Sequence, residues 1–251
     1  DTGDEVEKLG GNFENFSSKL KSVATSAVAS FAKISAAMVT AGVGIASVLT
    51  KLSIEQYAQY EQLTGGIETL FKNSSNKVME YANNAYKNAG LSANEYMDTM
   101  TSFSASLIAG LGGDTEKAAQ IGNMAIEDMS DNANKMGTSM EMIQNAYQGF
   151  AKQNYTMLDN LKLGYGGTKE EMQRLLEEAS KISGIKYDIS NFSDIIEAIH
   201  AIQTEMDITG TTAKEASSTI EGSLNMTKSA WTNALTGIAD SNADFDTLIN
   251  N

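Results

Sequence analysis

From Phe13 onward, apolar and small residues recur at heptad spacing. Phe13, Leu20, Ala27, Ile34, Ala41 and Val48 occupy one position, and Phe16, Val23, Ser30, Ala37 and Gly44 occupy the other. That period places both sets along one side of a helix and predicts that the helix associates with another through the seam. The seam narrows from Phe to Ala and Gly, so its first half is expected to pack by bulk and its second half by close backbone approach. Such a helix does not stand alone in water, because its stability comes from packing an apolar stripe. The pattern predicts one helix over about residues 12–62. The fold class that follows is all-α, with a long N-terminal heptad-patterned helix followed by a compact multi-helix module, and domains at 1–62 and 63–251.

Within the long helix, residues 34–50 (ISAAMVTAGVGIASVLT) form an uncharged stretch of 17 residues. At the usual rise this is about 26 Å of helix, only just the length of a membrane span. Ala37/Ala41 and Gly42/Ala46 carry the small-xxx-small spacing of tightly packed membrane helices. Four Ser/Thr and many Ala/Gly make the stretch weakly hydrophobic, which favours a packed helix in a protein assembly over an inserted one.

After this the period changes. Gly65-Gly66 is expected to end the long helix, and shorter helices follow, each opened by Ser or Thr with Glu three residues later, the spacing of a capping box. Ser92/Glu95, Thr138/Glu141, Thr168/Glu171 and Thr212/Glu215 fit it, each just after a glycine stop at Gly90, Gly137, Gly166-Gly167 or Gly210. The predicted helices are 74–89, 92–109, 115–133, 139–152, 169–182, 192–207 and 213–239. Residues 185–189 (IKYDI) are the nearest thing to an alternating strand, and they are few.

Composition sharpens this picture. The 251 residues include no Pro, so helices can run uninterrupted. Net charge is −14 and the sequence pI about 4.5, the opposite of the clustered cations that phosphate contacts require; no specific nucleic-acid binding is expected. With no Cys and a single His, disulfides, thiolate sites and multi-histidine metal sites are excluded. The chain opens on Asp without a signal-type segment, and it reads as a portion of a longer chain.

Candidate chemistry is sparse. Gly164-Tyr165-Gly166-Gly167-Thr168-Lys169 precedes a helix, as an anion-binding loop does, but the spacing is not that of a P-loop; a tight turn ending in the Thr168 cap is the simpler reading. Glu127, Asp128, Asp131 and Asn132 carry oxygens suited to a hard cation, yet lack the alternate spacing and central Gly of a calcium loop, so a solvated helix face or helix end is expected. His200, with Glu197 and Gln203 one turn away on either side, has no evident nucleophile and reads as a satisfied histidine on a helix surface. Trp231 reads as a packing anchor. The 13 Met, among them Met124, Met129, Met136, Met140 and Met142, read as helical core. No catalytic residue, metal or cofactor is assigned.

One stretch is more specific. Asp128-Met129-Ser130-Asp131-Asn132-Ala133-Asn134-Lys135-Met136-Gly137-Thr138, continuing from Ala146 through Gly149-Phe150-Ala151-Lys152-Gln153-Asn154-Tyr155 and Leu161-Lys162-Leu163-Gly164-Tyr165-Gly166-Gly167-Thr168 to Met172, resembles the tape measure proteins of tailed phages, prophages and phage-tail-like particles. The match is close over about 45 residues and looser from Tyr57 to Ala201. The resemblance implies a non-enzymatic virion protein. Such proteins lie in several copies inside the growing tail, where tube subunits polymerise around them in the host cytoplasm, set tail length, and leave ahead of the DNA, in some cases aiding passage across the host membrane. It further implies a homo-oligomer and, as partners, tail tube protein, tail-tip or baseplate proteins and assembly chaperones. The ruler portion would be the first helix. The residues expected to matter to the fold are the turn and cap set Gly164, Gly166, Gly167, Thr168 and Glu171, with glycines supplying left-handed backbone; the helix-association seam is Phe13, Phe16, Leu20, Val23, Ala27 and Ile34.

Overall fold

The structure is a computed structural model that describes residues 45–216 together with 228–230, 232, 233 and 236. The seam positions Phe13, Phe16, Leu20, Val23, Ala27 and Ile34, the small residues Ala37, Ala41 and Gly42, and Trp231 lie outside the described residues; Ala46 falls in the first turn of the first described helix. The chain divides into two units, residues 1–52 and 53–251, and the core belongs to the second.

Among the described residues the fold is all-α. The helices are α1 (Ile45–Phe71), α2 (Ser75–Asn88), α3 (Ala93–Gly110), α4 (Thr115–Met136), α5 (Met140–Phe150), α6 (Lys169–Ser183), α7 (Phe192–Glu205) and α8 (Thr211–Ala216), with 3-10 turns at Lys72–Ser74 and Leu158–Leu161. Residues 185–189 form no strand. Tyr187 there donates its hydroxyl to Ser183 Oγ, and Asp188 accepts from the Ser190 amide and hydroxyl in a tight turn.

The main departure from the pattern is at Gly65-Gly66. Instead of ending the helix near residue 62, they sit inside α1, which runs on to Phe71. Each glycine costs a helix interior about 1 kcal/mol relative to Ala. Continuing the helix carries Ile67 and Phe71 into the core at 0% exposure, and burying two such side chains offsets that cost. The predicted domain boundary at residue 62 therefore falls within this helix.

The helix starts follow local chemistry. Ser92 forms a complete capping box with Glu95, and Asp114 accepts from Lys117 N at the head of α4. At α5 the cap is Ser139, which accepts from Met142 N; Thr138 instead donates to the Asn160 carbonyl. Gly90, Gly137, Gly184 and Gly210 stop their segments with φ between +63° and +80°.

α4 is central. It packs against α2, α3, α5, α7, α8 and both 3-10 turns, and its approach to α3 is close, since a Cβ on Gly122 would lie 2.6 Å from Met100 Sδ. Around it are the buried Tyr96, Met97, Met100, Leu107, Tyr147, Phe150 and Leu158. Met124, Met136 and Met140 line the core at its edge, whereas Met142 is exposed.

Candidate functional site

Because α4 is enclosed by neighbours, most of its acidic run is turned inward: Glu127 is half-buried, and only Asn134 and Lys135 at the helix end are exposed. Asp128, Ser130, Asp131 and Asn132 are all buried, which corrects the expectation that this acidic run faces water. Successive helical residues project about 100° apart, and each of the four therefore meets a different element. Asp128 accepts from His200 Nδ1 of α7, 2.9 Å from both carboxylate oxygens. Ser130 Oγ donates to the Ala89 carbonyl just past α2 at 2.6 Å. Asp131 accepts the Gly210 amide at 2.5 Å and the Thr212 amide at 2.7 Å, one with each oxygen, so it caps α8 from 79 residues away in sequence. Asn132 Nδ2 donates to the Leu161 carbonyl at 2.9 Å.

Electrostatics at this junction follow from burial. Desolvation pushes the Asp128 carboxyl up to about 6 despite the bond from His200, and Asp131 and Glu127 push the same way. The Asp128 hydrogen bond raises His200 above its ordinary value, partly opposed by burial. Both shifts mean that the pair holds its proton more tightly than the separate groups do. Burial and the Asp128 charge also raise the Tyr147 hydroxyl, which, like Asn132 Oδ1 and both amide atoms of Gln203, is buried without a hydrogen-bond partner among the described residues.

An Asp–His pair is also two members of a nucleophilic triad, but here no hydroxyl is hydrogen-bonded to His200 among the described residues, and Ser130 is committed to Ala89. The four acidic-run residues do not converge: no group of three or more His, Asp or Glu side chains among the described residues is placed to hold a metal. The junction ties helices together. His200 is thus a bridging residue whose partner lies 72 positions away, with its side chain 35% exposed.

The turn set lies at the other end of the resembling stretch. Gly164 has φ +87°, as expected. Gly166 and Gly167 do not take left-handed backbone; what Gly167 supplies is space, because a Cβ there would lie 2.2 Å from the Thr156 carbonyl oxygen. Thr168 caps α6 by accepting from Glu171 N. Glu171 turns to the Gly166 amide and to Arg174 rather than back to Thr168 N. Arg174 completes the turn in a way no spacing rule indicated: it donates to the Gly164 carbonyl at 2.8 Å, pairs with Glu171 and Glu178, and stacks over the Tyr165 ring at 4.3 Å. The Tyr165 hydroxyl donates to Glu178 at 2.5 Å.

A third set closes the α2–α3 corner. Ser229 Oγ donates to the Gly90 carbonyl at 2.7 Å, Asn233 Oδ1 accepts the Ala93 amide at 2.8 Å, and Thr212 packs its methyl near Gly90. These partners are separated by up to 140 residues, and nothing local in the sequence marks them. Compared with known protein families, with curated proteins and with solved structures, this chain matches none.

Proposed function

We propose that this chain is a structural portion of a phage tail tape measure protein, acting in tail-length determination and assembly and released during DNA delivery. The observation that carries the reading is the stretch 128–172 that resembles the family. The same stretch supplies the α4 side of the four-way junction and the Gly164–Thr168 turn, which gives it a part in the module's packing. The heptad pattern over residues 13–48 supports a ruler segment that associates with further copies of itself. A helical ruler adds about 1.5 Å per residue; the module, with its short helices, serves as a fixed body on the tape or a contact for tail-tip proteins. Tube protein, baseplate proteins and chaperones are its partners, the tail-tube interior of the virion its place, and its role is not enzymatic. Negative charge fits a molecule sharing a narrow tube with DNA, since like charge disfavours adhesion to the genome.

A second reading rests on residues 34–50. No helix among the described residues is long and apolar enough to cross a membrane, but residues 34–44 lie outside them, and the uncharged stretch with its small-xxx-small spacing is compatible with insertion during genome passage. One experiment separates the two. Deleting residues 10–50 in frame from the full-length parent removes 41 residues, about 60 Å of helix. Tails shortened by that amount in electron micrographs support the ruler. Tails of unchanged length that fail to deliver DNA support the membrane role, and normal tails that deliver DNA refute both.

A further inference from the structure

Asp128 and Asp131 lie one turn apart on α4. The first holds α7 through His200, and the second holds the amides that begin α8. Residues 206–210 are all that separate α7 from α8, and the Ile208 amide is tied back to the Gln203 carbonyl. What happens to His200 therefore reaches Gly210 along a short, hydrogen-bonded connection. We propose that the Asp128–His200 pair is a proton-keyed clasp, in which loss of the His200 proton loosens α7 from α4 and frees the start of α8 from Asp131.

Asp128 is 1% exposed on its side chain, and a buried carboxylate needs a compensating charge. His200 in its protonated form supplies it. Since an ionised carboxylate only accepts, Nδ1 carries a hydrogen toward Asp128, and the second proton sits on Nε2, the nitrogen not engaged by Asp128 on a part-exposed ring. When that proton leaves, the Nδ1 hydrogen bond remains but the cation does not. Asp128 is then left with Asp131 and Glu127 on its own helix, both repelling it.

Among the described residues the charge that lowers the Asp128 carboxyl is that of His200. The end of α2 presents the Ala89 carbonyl to Ser130 and the Asn88 amide to Glu127. Tyr96 of α3 and Tyr147 of α5 are neutral phenols, held so by burial. The start of α8 presents the Gly210 and Thr212 amides to Asp131 and the Thr212 hydroxyl to Ser130, and the Leu158–Leu161 turn presents a carbonyl to Asn132. The sign follows: a histidine raised in the folded state stabilises below its unfolded value of about 6.5 and ceases to do so as pH rises through its folded value. The clasp therefore opens toward alkaline pH.

His200 is the only histidine, so its ring resonances report its titration in the intact chain without assignment. The test is amide hydrogen exchange at Gly210 and Thr212 from pH 6 to 9, corrected for the intrinsic pH dependence and read beside that titration. Protection at these two amides should fall with the His200 curve, by up to about tenfold for each unit by which its pKa is raised, while core amides such as that of Ile126 remain better protected and change only with global stability. In Asp128→Asn the imidazole should titrate near its ordinary value, and Gly210 and Thr212 should lose the pH step. Protection at Gly210 and Thr212 that stays flat across the His200 titration overturns the clasp, whether or not the variant folds. So does a step that persists unchanged in a folded Asp128→Asn.

Discussion

At the scale of single residues, the three glycines of the Gly164–Gly167 turn separate two reasons for being glycine. Gly167→Ala drives a methyl into the Thr156 carbonyl oxygen, backbone that cannot rotate away, and should cost about 1–3 kcal/mol as an overpacking substitution does. Gly164→Ala meets open space but keeps φ +87°, for a cost of about 1 kcal/mol from left-handed backbone. Gly166→Ala, 3.5 Å from Glu171 Cγ and without positive φ, should be nearly neutral. Urea denaturation of the three variants gives the order directly, and equal losses would refute it. Truncating Asn132 to Ala removes the buried bond to the Leu161 carbonyl and leaves that acceptor unmet, for about 1–3 kcal/mol. The glycines were readable as a turn, but which one needs room depended on Thr156, and no spacing within the turn encodes that contact.

At the scale of elements, capping chemistry marked where helices start, because N-caps act over three residues. Ser92→Ala should destabilise the module by about 1 kcal/mol, through loss of the capping box. A similar loss is expected from Ser139→Ala, whose hydroxyl accepts from Met142 N; amide exchange at Met142 should rise in that variant and hold in Thr138→Ala. Where adjacent Thr and Ser compete, as at 138 and 139, the tie from Thr138 to Asn160 decides, and that tie is tertiary. Gly65-Gly66 shows the converse: a local helix-breaking signal is overridden by burial of Ile67 and Phe71. Gly65 has nothing within 4 Å of a Cβ, so Gly65→Ala should stabilise by up to about 1 kcal/mol of helix propensity and raise the urea midpoint. A lower midpoint would mean that the glycine has a packing role.

For the whole molecule, stability should lean toward the acid side of neutrality. Asp128, raised to about 6 by burial, and His200, raised by Asp128, both bind protons more tightly folded than unfolded. Their contribution falls as pH rises from about 4 through 6 for the first, and from about 6.5 through the raised folded value for the second. Glu178, lowered first by the Tyr165 hydroxyl, and Asp188, lowered by the Ser190 amide, act in the opposite sense and lose their contribution as pH drops below the usual carboxylate range. The denaturation midpoint should therefore be higher at pH 5.5 than at pH 8.5, with a smaller difference in Asp128→Asn. A midpoint that rises with pH would contradict the sign of both shifts.

The amino-acid sequence determined that the described residues are helical and marked several helix starts at caps and several stops at glycines, because each of these depends on residues within a few positions. The tertiary structure decided that α4 lies at the centre. Through that one placement an acidic run expected to face water became four buried ties to α2, α7, α8 and the Leu158–Leu161 turn. The corner held by Ser229 and Asn233 was decided in the same way. Side chains that meet across 29 to 140 residues leave no period or spacing behind, so only the packed chain shows that His200 belongs with Asp128 and α8 with Asp131.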